Sequence, residues 1–134
     1  MKAIKNLSLV IVILITLGGC KTFYDAYSYE ETVKVKNQTL MLMDSSIYKY
    51  DKYELKIDSL KARITNLFEH QKTRQNNFAT IAQWNTLLRT NGTFYNFFNY
   101  WKDQDSIKLI EIDLYKPQMS DSFDKILELE TKKK

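Results

Sequence analysis

Between Lys21 and Asn91 the chain runs for 71 residues without a glycine or a proline. These two residues are the strongest local punctuators, one by freeing the backbone and the other by fixing φ and removing a donor. A stretch of this length without either, rich in Leu, Lys, Glu, Ile and Tyr, reads as helix. The whole chain of 134 residues has three glycines and one proline, and Gly18 and Gly19 lie ahead of this stretch. The expected fold class is therefore all-α. It has one long amphipathic helix, a shorter aromatic-rich helical hairpin and a C-terminal helix.

The apolar spacing supports this. Leu40, Met43, Ile47, Tyr50, Tyr53, Ile57, Leu60, Ile64 and Leu67 step by threes and fours, which is one face of a helix. Tyr29, Val33 and Lys36 extend the register upstream. Two successive threes around Tyr50 and Tyr53 resemble a stammer, which overwinds a supercoil or shifts its contact face. A continuous helix from Phe23 to Gln71 would be roughly 73 Å long, too long for a compact bundle. It must project or break. The expected break is Asp44-Ser45-Ser46, where Asp or Ser can cap a new start.

A second helix is expected from Asn77 to Arg89, with Phe78, Ile81, Ala82 and Leu88 inward and Trp84 at the edge. Thr90-Asn91-Gly92-Thr93 then reads as a stop and restart. Gly92 suits the left-handed residue after a helix, and Thr93 an N-cap. In the following FYNFFNYW, Phe94, Phe97, Phe98 and Trp101 share one face. Further on, Ile110, Ile112 and Leu114 alternate with acids as in a strand, but Ile107, Ile110 and Leu114 also have helical spacing. A lone strand has no partner here. A helix is expected, capped by Asp105 or Ser106 and ending before Pro117. A last helix should start at Ser120 or Asp121, with Phe123, Ile126, Leu127 and Leu129 inward and the terminal lysines at its negative end.

The first twenty residues read differently. Lys2 and Lys5 precede Leu7–Leu17, an almost unbroken apolar run of 11 residues. As a helix this run is roughly 16 Å long, too short for a hydrocarbon core of about 30 Å. A charged start, a short apolar centre and small residues at the end describe a secretory signal peptide. Its end, Leu17-Gly18-Gly19-Cys20, resembles the lipobox of bacterial lipoproteins. That resemblance implies a signal peptide over 1–19, cleavage before Cys20 and diacylglycerol on its sulfur. It implies a mature domain over 20–134, with 20–28 as a tether. Several acyl chains on one residue would hold the protein at a membrane, since each buried CH₂ adds about 0.8 kcal/mol. Lys21, in place of an Asp after the cysteine, favours the outer membrane, and the expected location is its periplasmic face.

Chemistry is sparse in the rest. Cys20 is the single cysteine, so no intrachain disulfide can form. His70 is the single histidine, with no second ligand at metal spacing; it reads as a solvated residue. No metal, cofactor or catalytic residue is expected. The net charge of +4 sits largely at the ends. From Cys20 onward 18 basic residues face 16 acidic ones, and without Lys132, Lys133 and Lys134 the count is 15 against 16. This is not the footprint of a nucleic-acid-binding face.

The expected activity is therefore non-catalytic and helix-mediated: structural, assembly-accessory or chaperone-like. The partner would be an envelope protein or a second copy. Two other readings remain open. Trp84, Phe94, Phe98 and Trp101 would form a ligand or partner platform, or simply the core. Lys132, Lys133 and Lys134 would touch an anionic surface or peptidoglycan. In this second case the layout is similar to that of the small murein lipoprotein, with lipid at one end and lysine at the other.

Overall fold

A computed structural model describes residues 22–134. The expected signal peptide and Cys20 lie outside them. Five helices follow: α1 (Ala26–Asp44), α2 (Glu54–Thr73), α3 (Phe78–Leu88), α4 (Thr93–Gln104) and α5 (Leu109–Thr131). Two short 3₁₀ turns, Ser45–Ile47 and Tyr50–Lys52, join α1 to α2. No strand occurs among the described residues, so the all-α fold stands. Helix α1 packs on α2 and α5, α3 packs on the same two, and α4 lies on α3 and α5. Helices α1, α2, α3 and α5 thus make an up-down-up-down ring, and α4 sits in the last connection.

The long stripe breaks where Asp44, Ser45 and Ser46 predicted. The Ser45 hydroxyl donates to the Met41 carbonyl at 3.1 Å, and the Ser46 hydroxyl to that of Met43 at 2.6 Å. Both carbonyls lie in the last turn of α1, where helical donors run out. The paired threes at Tyr50 and Tyr53 mark a 3₁₀ turn rather than an overwound supercoil, because three is the 3₁₀ period. Met43, Tyr50, Ile57, Leu60, Ile64 and Leu67 are buried, but Ile47 is turned outward.

Upstream, the register is one residue off the expected one. The buried face of α1 is Ser28, Thr32, Val35, Thr39 and Leu42, not Tyr29, Val33 and Lys36. The threonine hydroxyls bond back to carbonyls one turn earlier, Thr32 to Ser28 at 2.6 Å and Thr39 to Val35 at 2.7 Å. Their polar atoms are thereby satisfied inside the core. A tether over 20–28 would have to end by Asp25, since the helix starts at Ala26 and Ser28 is buried.

Helix α3 turns Thr80, Trp84 and Leu87 inward and leaves Phe78 77% exposed. Trp84 is central rather than at an edge. The α3–α4 connection forms as expected, but by another mechanism. Gly92 has φ −78° and is itself the N-cap of α4; Thr93 is the first helical residue. Glycine is needed for space. A Cβ there would collide with the Leu87 carbonyl oxygen and come within 2.8 Å of that of Thr86. Gly92→Ala should therefore destabilise by about 1–3 kcal/mol, as overpacking does. The check is a lower urea midpoint at unchanged slope.

Helix α4 buries Phe94, Phe97, Phe98 and Trp101, as their spacing predicts. Helix α5 does not end before Pro117 and does not restart at Ser120 or Asp121; it runs through both. Ile112, Met119, Phe123 and Ile126 line one buried face across the proline. Pro117 is exposed, so the carbonyl of Asp113 that loses its donor can turn to water. The start of α5 also differs. Lys108 is the N-cap, and Glu111 accepts from its backbone N–H at 3.1 Å. Asp105 has φ 63° and its carbonyl accepts from Tyr50 N–H at 2.9 Å, while Ile107 N–H donates to Ser46 at 2.7 Å. Two connections are thereby tied together. Ile107 is buried as its spacing predicts, but Ile110 and Leu114, expected inward with it, face solvent, and Ile112 is buried instead.

Candidate functional site

One end of the bundle gathers the start of α1, the end of α2, the start of α3 and the end of α5. Ser28, Gln71, Asn77, Thr80 and Glu130 are all buried there. At the centre is Glu130. Its carboxylate accepts both arms of the Arg74 guanidinium at 2.8 and 2.9 Å, the Lys133 ammonium at 2.6 Å and the Asp25 backbone N–H at 2.9 Å. Planar, bidentate pairing of this kind is what arginine offers and lysine does not.

The other partners radiate from these. The second Arg74 nitrogen also donates to the Phe23 carbonyl. Lys133 donates to Asn77 Oδ1 at 2.6 Å and Thr80 Oγ1 at 3.0 Å. Asn77 donates to Gln71, and Gln71 to the Ser28 hydroxyl at 2.6 Å. Asp25 caps α1, accepting from the Tyr27 N–H at 3.1 Å and the Ser28 hydroxyl at 2.6 Å. His70 Nε2 lies 2.8 Å from Asp25 Oδ2, the same oxygen that accepts from Ser28, with Tyr27 edge-on to its ring. His70 is thus partly solvated, as expected, with its side chain 40% exposed, and is also tied to Asp25.

The electrostatics follow from competing effects. Burial alone would raise the Glu130 carboxyl, but the hydrogen bonds from Arg74, Lys133 and the Asp25 amide outweigh it and hold it below its ordinary value. Burial likewise works against Asp25, and Ser28, His70 and Arg74 overcome it. Burial lowers Lys133, and Glu130 offsets only part of that. Depressed carboxylates contribute stability that is present above their unfolded values and is lost as pH falls through the folded ones. The unfolded values are 3.8 for Asp25 and 4.5 for Glu130. Stability should therefore hold at neutral pH and fall as pH drops below 4.5. In Glu130→Gln the slope of that fall should be shallower, as measured by urea midpoints across the acid range.

The aromatic candidates lie elsewhere. Trp84, Phe94, Phe98 and Trp101 are each 0% exposed. Trp101 stands edge-on to Tyr50 with centroids 5.5 Å apart, and its indole N–H donates to the Tyr48 carbonyl at 3.0 Å. Trp84 packs edge-on to Phe123 at 6.1 Å, and its buried N–H has no partner among the described residues. A ligand would have to open the bundle to touch them. The three terminal lysines have separate fates. Lys132 pairs with Glu128 at the surface, Lys133 enters the network, and the Lys134 ammonium lies 4.5 Å over the Tyr24 ring.

Beside the network is a cleft of about 520 Å³ lined by Phe23, Asn76, Ala79, Leu129, Lys132 and Lys134 among others. Among the described residues no three His, Cys, Asp or Glu side chains converge in a metal-binding group. The network residues engage one another: the Ser28 hydroxyl donates to Asp25 Oδ2, and His70 bonds that same oxygen rather than the hydroxyl. The sequence offered little signal for this site. Its members are spread from Asp25 to Lys133 and share no motif. Comparison with protein-family models, with curated proteins and with solved structures finds no match to the chain.

Proposed function

We propose that this is a lipoprotein of the bacterial envelope, attached through Cys20 and facing the periplasm from the outer membrane. It acts without catalysis, through helix contacts with another envelope protein or a second copy. One observation carries the interaction reading. Ile110, Leu114 and Pro117 form an outward stripe at i, i+4 and i+7 on α5, with Ile110 77% and Leu114 62% exposed. Scattered exposed apolar residues are ordinary, but an aligned set marks an interaction surface. Leu109 adjoins it, also exposed. The inward aromatic group gives the ligand-platform reading no comparable surface.

Two measurements test this. Cys20→Ala should abolish labelling by a fatty-acid probe. A photo-crosslinker at Leu109 should give a defined adduct in the intact envelope, and Ile110→Lys with Leu114→Lys should remove it. That pair sits on the surface and should shift stability by no more than about 0.5 kcal/mol per site. An adduct that survives both lysines would rule out the α5 stripe as the contact.

A further inference from the structure

The polar end of the bundle is also the end from which the chain emerges. The Thr22 hydroxyl donates to the Gln75 carbonyl at 2.5 Å, Phe23 is bonded to Arg74, and Asp25 to Glu130. The chain is therefore docked from Thr22 onward. The path from Cys20 to Thr22 spans two residues, at most about 7 Å. This step rests on the lipoprotein reading: if Cys20 is acylated, no length remains to hold the bundle away from the bilayer. The same end carries Phe23, 83% exposed, and Phe78, 77% exposed. Both belong to segments that meet there, since Thr22 and Phe23 bond to residues 74 and 75 just before α3. Aromatic rings gain by burial and concentrate at membrane interfaces.

We infer that this end of the bundle rests on the phospholipid surface, with the Phe23 and Phe78 rings at headgroup level. Charge plays little part. Glu130 and Asp25 together match Arg74 and Lys133, Glu69 matches Lys72 and Glu128 matches Lys132, and Lys134, over the Tyr24 ring, adds a single positive charge. The contact should thus form on a zwitterionic bilayer and survive added salt, unlike one made by a basic patch. The bundle then stands upright, and the apolar stripe that starts at Leu109, on the opposite end of α5, points away from the membrane.

The test uses the full lipidated chain in phosphatidylcholine vesicles brominated near the glycerol end of the acyl chains. Tryptophan is introduced singly as Phe23→Trp, Phe78→Trp or Ile110→Trp. All three sites are exposed, and the native Trp84 and Trp101 are buried and serve as an internal baseline. The first two should lose most of their added emission to the bromolipid at both low and high salt, and the third should keep its own. Unquenched tryptophan at 23 and 78 in a chain that still carries its fatty acid would overturn the apposition and leave the anchor intact. Equal quenching at all three sites would mean the bundle lies flat, which also overturns it. Loss of quenching together with loss of fatty-acid labelling would instead locate the failure in the anchor.

Discussion

Glu130→Ala is expected to lower folding stability by about 3–5 kcal/mol, the usual result of removing one partner from a buried ion pair. Arg74 and Lys133, with side chains only 11% and 13% exposed, would then face each other with the Asp25 carboxylate, 4.0 Å from Arg74 Nε, as their remaining counter-charge. The Asp25 amide and both arms of the Arg74 fork would lose this acceptor as well. A domain with a total stability of about 5–15 kcal/mol would be left close to its threshold. Urea titration at neutral pH measures the loss. Glu128→Ala is the matched control: its bridge to Lys132 is exposed, and such bridges contribute about 0–1 kcal/mol. If the two variants lost similar amounts, Glu130 would not be the keystone of the polar end.

The second large effect concerns the two tryptophans. Either one replaced by alanine should cost about 3–5 kcal/mol, because each fills a fully buried site. Phenylalanine separates them. Trp101→Phe leaves the Tyr48 carbonyl without its donor, which adds about 1–3 kcal/mol to the packing loss. Trp84→Phe removes an N–H that has no partner among the described residues, so it relieves a desolvation penalty while losing some volume. Trp101→Phe should therefore be clearly the more damaging, judged from the difference in urea midpoints. Equal losses would mean that the indole bond to Tyr48 adds nothing.

What could be read from the sequence depended on how local its cause was. The α1–α2 break was legible because Asp44, Ser45 and Ser46 supply their own turn chemistry. The α4 face was legible because four large aromatics repeat at helical spacing. The α1 face was not, since Ser28, Thr32 and Thr39 look like surface residues until the threonine hydroxyls find carbonyls one turn back and the Ser28 hydroxyl finds the Asp25 carboxylate. Pro117 misled for a different reason: a local rule against proline was overridden by burial of Met119, Phe123 and Ile126 along the same helix. The polar network was out of reach altogether. Asp25 and Glu130 are 105 residues apart, and only the packing of α1 against α5 brings them together.

That closure has a mechanical consequence. The segment from Phe23 to Asp25 is clasped between Arg74 at the end of α2 and Glu130 near the end of α5. Tension applied at Thr22 is therefore carried at once into two other helices. It would have to shear several parallel bonds in one step, instead of unzipping α1 a turn at a time. The segment from Thr22 to Asp25 and the last turn of α5 behave as one fastening, placed where a pull on Thr22 arrives first.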